Sequence, residues 1–193
     1  MSATATPTGA EPIGTLSSSG SFTGKVRHLK IASNYGTAIF YGDFVKTVAG
    51  GTVEKDAGTT ALTTTGVFMG CFFTDPTTKQ PTYSQYYPAS TVASDIKAYV
   101  LDDPHVLMKM QGDATLAQTA IGNNVSMVQT AGSTDIGRSK NAVDSSTIVA
   151  TTATLPLRII DFVDGPDSSV GDAYTDVIVK FNVGHQYLNT TGI

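Results

Sequence analysis

Thr175-Asp176-Val177-Ile178-Val179-Lys180-Phe181-Asn182-Val183 is the stretch that decides the fold. Val177, Val179, Phe181 and Val183 recur at every second position, with Asp176, Lys180 and Asn182 between them. Side chains on an extended chain alternate between two faces, so this spacing predicts a strand with one buried side.

The same grammar recurs upstream. Leu155-Pro156-Leu157-Arg158-Ile159-Ile160-Asp161-Phe162 reads as a strong strand, and Pro156, which has no amide to donate, places its start at a sheet edge. Ile96 to Leu101 is a strand; Asp102-Asp103-Pro104 is a turn; Val106 to Gln111 returns as its partner. Gly66 to Phe73 is the most apolar run and is expected at the centre of a sheet. Thr37 to Tyr41, Val125 to Val128 and the alternating residues after Lys25 are further strands. Gly42 to Val48, Ala49-Gly50-Gly51 and Thr52-Val53-Glu54 read as a hairpin. One short helix is predicted over Ala114 to Ala120, capped by Asp113 and ended by Gly122-Asn123. Residues 56–65 and 130–154 are polar connections, and residues 76–90 a long ordered loop. The expected architecture is all-β: a sandwich or partly open barrel of short antiparallel strands with long polar loops, one short helix and an extended N-terminal arm.

The organisation follows from composition. Residues 1–24, with Leu16-Ser17-Ser18-Ser19-Gly20-Ser21 inside them, are too poor in apolar surface to fold alone and are expected to be a flexible arm. Residues 25–184 form the β-rich body and 185–193 a short polar C-terminal tail. Ile13, Leu16 and Phe22 punctuate the arm and are its candidate contacts with a partner. Tyr83, Tyr86 and Tyr87 in the 76–90 loop are the second candidate group, because tyrosine offers contact area at low entropic cost.

Reactive chemistry is sparse. The chain has 193 residues, no Trp, one Cys, three His and 15% charged residues. His28, His105 and His185 lie far apart without metal-ligand spacing, and Cys71 has no second cysteine to pair with. No nucleophile elbow or phosphate-binding glycine loop occurs. Asp161, Asp164, Asp167, Asp172 and Asp176 match no calcium-loop pattern and read as an exposed acidic turn. A net charge of −4 with dispersed lysines and arginines gives no basic face for nucleic acid. No apolar run is long enough to span a bilayer, and the N-terminus has no secretory pattern. No catalytic residue, cofactor or metal is expected; the composition points to a non-enzymatic protein, made in the cytoplasm, that works through its surface.

Four stretches carry a resemblance: Gly42-Asp43-Phe44-Val45-Lys46 with Gly50-Gly51-Thr52-Val53; Gly66-Val67-Phe68-Met69-Gly70; Leu101-Asp102-Asp103-Pro104-His105-Val106 leading to Ala117 to Asn124; and Leu157 to Asp161 with Gly171 to Val177. In these the chain resembles head decoration, or cement, proteins of tailed bacteriophages. The resemblance implies a β-rich virion protein that binds the major capsid protein on the outside of the shell and bridges neighbouring capsomers. It also implies a homo-oligomer, with a trimer favoured. The alternatives are a head-completion, neck or tail-tube component, and a non-viral carbohydrate-binding β-module.

Overall fold

The computed structural model describes residues 4–16, 22–188 and 192. Its strands, in chain order, are β1 (Glu11–Thr15), β2 (Arg27–Lys30), β3 (Phe44–Thr47), β4 (Val53–Lys55), β5 (Gly66–Thr74), β6 (Pro81–Ser84) and β7 (Lys97–Leu101). They continue with β8 (Val106–Gln111), β9 (Asn124–Val125), β10 (Met127–Val128), β11 (Ala142–Val143), β12 (Leu157–Phe162) and β13 (Asp176–Phe181). A five-stranded sheet runs β1-β8-β13-β12-β9, and a six-stranded sheet runs β2-β7-β5-β3-β4 with β6 paired to β5. β10 and β11 form a small ribbon of their own. The pairings between these strands are antiparallel and neither large sheet closes on itself, so the molecule is an open all-β sandwich.

The alternation in β13 works as the sequence requires. Val177, Val179 and Phe181 enter the main core with Val106, Met108 and Met110 of β8 and Leu157 and Ile159 of β12. Phe44, Val67 and Leu101 meet them from the six-stranded sheet. The opposite face of that sheet holds a second core: Val45, Phe68, Cys71, Ala98 and Val100, covered by Ile31, Ile39, Tyr87 and Ile96 from the loops. Burial on both faces is why β5 reads as a nearly continuous apolar run.

The register of β5 against β7 shifts between Phe68 and Cys71. Gly70 sits in this bulge at φ +123°, a conformation that other residues rarely adopt. The extra residue keeps Phe68 and Cys71 on the same face, opposite Val100 and Ala98.

Several expectations are corrected. β7 and β8 are not a hairpin: β7 is already flanked by β2 and β5, so β8 crosses to the other sheet. The predicted helix over 114–120 reduces to a 3-10 turn, Gln118–Ala120. Its expected cap is engaged elsewhere, because the Asp113 carboxylate accepts the Ser145 N–H, while Leu116 is drawn into the core. β12 is not at an edge; Pro156 lies just before it, and β9 covers its first two residues. Residues 37–41 form isolated bridges through Ile39 and Tyr41 instead of a strand. Ser126 interrupts the 125–128 run, and the halves join different sheets. The 76–90 loop contains β6.

Within the segment expected to be a flexible arm, 1–24, residues 10–16 are packed on the body. Ala10 is fully buried in the main core, and β1 is an edge strand against β8. Paired backbone supplies what the sparse apolar side chains cannot. Residues 17–21 lie outside the described residues. The expected polar tail is also tied down as far as Leu188. His185 is fully buried, and the Gln186 side chain accepts from the Thr47 N–H and donates to the Thr47 carbonyl. Gly184 permits this at φ +85°, where a Cβ would lie 1.9 Å from the Leu62 carbonyl oxygen.

Candidate functional site

The residues expected to make contacts have different fates. Ile13 and Leu16 remain 44% and 48% exposed although the backbone around them is paired. Ile13 occupies the bulge between Pro12 and Gly14, so it is the unpaired residue of β1. Phe22 is 36% exposed and flanks β2 in sequence. Tyr87 is withdrawn from the surface: it is fully buried and its hydroxyl donates to the Tyr35 carbonyl. Tyr86 is half-buried and stacks on Phe40 at 5.4 Å. The Ile39–Tyr87 bridge carries Tyr87 into the second core, while Tyr86 packs on Phe40 beside it. Tyr83 alone stays outside, 74% exposed.

Tyr83 does not stand by itself. Its ring lies 6.5 Å from that of Tyr99, with the two planes 7° apart, and 4.9 Å from Phe72. Tyr99 meets His28 edge-on at 4.7 Å. Strand pairing explains the assembly. Tyr83 of β6 is opposite Phe72 of β5, Phe72 is opposite Lys97 of β7, and Lys97 is opposite Lys30 of β2. His28 is opposite Tyr99 in the next pair. Alternation along β7 puts Lys97 and Tyr99 on the same face as Leu101. Leu101 is covered by the five-stranded sheet, but Lys97 is exposed and Tyr99 half-exposed. The patch is therefore the part of the six-stranded sheet that runs past its cover: aromatic at the β6 end, cationic at the β2 end. Sequence reasoning found Tyr83 and missed Phe72, Tyr99 and His28. The missing signal was the register between strands, which no single strand contains.

A polar cluster is buried at the start of β3. Asp43 is fully buried; it accepts from the Ser139 hydroxyl at 2.6 Å, the Asn141 amide at 3.1 Å and the Phe40 N–H at 3.0 Å. Lys55 Nζ lies 2.9 Å from the same carboxylate. Every polar group in it faces a partner, so the cluster ties β3, β4 and the 130–141 loop together. The Arg138 guanidinium adds a link from that loop to β1, 3.4 Å from Glu11 and over the Tyr41 ring.

At the other end, Arg27 Nε approaches Asp102 Oδ2 at 2.7 Å and its guanidinium lies over Tyr187. His185 is enclosed beside Phe181 and Tyr187. Burial lowers its pKa to about 4, against the opposing pull of Asp102 and Asp103. Its Nδ1 accepts the Tyr187 N–H, and Nε2 has no hydrogen-bond partner among the described residues.

The other chemistry-bearing groups stay apart. Among the described residues no three His, Cys, Asp or Glu side chains converge on a point. In the acidic segment, Asp176 pairs with Lys109 at 3.3 Å and Asp172 accepts the Ser169 N–H. Cys71 is buried, and burial pushes its thiol up to about 12. An open depression of about 540 Å³ beside the β5–β6 turn includes Asp75 and Asp95 in its lining. The Thr78 and Thr77 N–H groups hold Asp75 below the usual carboxylate range, and the Thr74 hydroxyl and N–H do so for Asp95. No helix of the described residues is long and apolar enough to cross a membrane.

No protein-family model matches the chain, and no curated protein or solved structure shows significant similarity to it. Fold and surface together define an open β-sandwich with a partly uncovered sheet face.

Proposed function

We propose that the protein is a structural, non-catalytic component of a bacteriophage virion that attaches to the outer surface of the capsid and bridges neighbouring capsomers. The observation that carries this reading is β1. Among the described strands it is an edge strand, with Ile13 exposed within it and Leu16 exposed just after it, and its outer side is paired by neither large sheet. An edge strand of this kind can receive or extend a strand of a neighbouring subunit. Pro12 and the bulge at Ile13 limit the open edge, which restrains pairing with arbitrary chains. The sequence resemblance supplies the phage setting, and its four stretches support the scaffold. They fall on the Asp43 cluster, β5, the crossing turn between the sheets and the β12–β13 hairpin. The partner is the major capsid protein, and the soluble form is a homo-oligomer, favoured as a trimer, whose mass light scattering will read.

The test is sedimentation of purified protein with undecorated capsids. Saturable, stoichiometric binding is expected, and an Ile13→Asp/Leu16→Asp variant should bind at least about tenfold more weakly with an unchanged fold. Absence of binding at every salt concentration overturns the reading. Ring formation by the isolated protein would instead favour a neck or tail component.

A further inference from the structure

From the uncovered face of the six-stranded sheet we infer a binding site for an anionic saccharide, independent of the capsid reading and of β1. The site consists of Tyr83, Phe72 and Tyr99 as a ring platform, with Lys97 and Lys30 at its margin and His28 against Tyr99.

Three features of the face lead to this ligand chemistry. The first is the platform. Tyr83 and Tyr99 present nearly parallel rings from two strands that are not neighbours, across β5. Phe72, opposite Tyr83 in the same row, packs against its ring at 4.9 Å. Two nearly parallel tyrosine rings, one exposed and one half-exposed, suit the apolar face of a sugar ring, and their hydroxyls can meet its hydroxyl groups.

The second feature is charge. Lys30 and Lys97 are directly opposed across β2 and β7, both exposed, and like charges in that position destabilise a sheet. Neither makes an ion pair among the described residues. Asp95, whose oxygens accept from the Thr74 N–H and hydroxyl, feels the charge of Lys97 but lies outside ion-pair distance of it. Two adjacent exposed ammonium groups without a direct ion pair among the described residues are a local exception in a chain of net charge −4. A bound carboxylate or sulfate would relieve their repulsion.

The third is order along one row. From β6 to β2 the row reads Tyr83, Phe72, Lys97, Lys30, so apolar surface passes directly into positive charge. A ligand with a flat apolar face and an acidic substituent at its side fits that order. Two lysines neutralise too few phosphates to hold single-stranded nucleic acid, whose affinity rests on many such contacts.

The experiment uses the full chain and its own tyrosine emission, since there is no Trp to mask it. The protein is titrated with a uronic-acid oligosaccharide, a sialic-acid oligosaccharide, a sulfated oligosaccharide, neutral cello-oligosaccharide and oligo-dT. Saturable quenching by at least one acidic sugar is expected, weakening as salt rises. Tyr83→Ala, a change at an exposed ring, should weaken it at least about tenfold, and Lys30→Gln/Lys97→Gln by about tenfold at low salt. Circular dichroism checks that both variants keep the fold. No response to any of the three acidic sugars overturns the inference. So does equal affinity for the neutral oligosaccharide, or tighter binding of oligo-dT that depends on the same residues. Capsid sedimentation of the Lys30→Gln/Lys97→Gln variant separates the two proposals, because these two substitutions should leave it unchanged.

Discussion

At the residue scale, two buried polar groups set the sharpest expectations. His185 is neutral in the folded chain because burial lowers its pKa to about 4, whereas an exposed histidine titrates near 6.5. The unfolded chain therefore takes up a proton first as pH falls. The contribution of His185 is fully present above 6.5 and is lost between 6.5 and 4, up to about 3 kcal/mol. Urea unfolding at a series of pH values should show stability falling through that window, and His185→Gln should flatten the slope even where it lowers stability overall. Asp43 is the second group. Asp43→Ala removes the acceptor for Ser139, Asn141 and the Phe40 N–H and leaves Lys55 unpaired. A loss of about 3–5 kcal/mol is expected. Asp43→Asn, which keeps the shape and some acceptors, should lose less. Denaturant midpoints at constant m-value measure both. Neither role could be read from sequence: Asp43 sits in a plain turn-like Gly-Asp pair, and His185 in a polar-looking end. The Ser139 and Asn141 partners of Asp43 are 96 and 98 residues away, and the histidine follows Gly184, whose close approach to Leu62 no local pattern announces.

At the scale of elements, strands with a complete alternation were legible and their partners were not. Val177, Val179 and Phe181 announced β13, and the apolar run at Gly66 announced β5, because burial pattern is a local property. The β7–β8 turn looks like any hairpin turn; only the two neighbours already paired to β7 send β8 elsewhere. The same limit hid the ring platform, three of whose members come from different strands. β1 was missed for another reason: its residues are weakly apolar, and its stability comes from the backbone ladder to β8 and from buried Ala10. This changes what truncation should do. Deleting residues 1–24 removes a sheet strand, a core residue and the hydrogen bond from the Thr6 N–H to Gln111. The expected result is a lower melting temperature, by about 2–4 °C for each kcal/mol lost. An unchanged melting temperature would show that β1 is only laid against the body. Point changes at Ile13 and Leu16 are thus the cleaner probes of attachment.

At the scale of the whole molecule, the two ends of the chain secure different sheets. β1 forms one edge of the five-stranded sheet, while Gln186 clasps Thr47 of the six-stranded sheet and its side-chain oxygen also accepts the Thr65 hydroxyl. Between them the chain crosses from sheet to sheet at Asp102–His105, and the main core takes side chains from both. No sheet can open without exposing apolar surface of the other. Unfolding should therefore be a single cooperative transition, despite the second core behind the six-stranded sheet. Tyrosine emission, to which Tyr35, Tyr83, Tyr87 and Tyr99 of the six-stranded sheet and its loop cover contribute, and far-ultraviolet circular dichroism, which reports both sheets, should give coincident denaturation curves. Gln186→Ala should shift both curves together, by about 1 kcal/mol for the partly buried donors and acceptors it abandons. Separate transitions, or a shift confined to one probe, would mean that the six-stranded sheet and its loop cover form a unit able to open by itself.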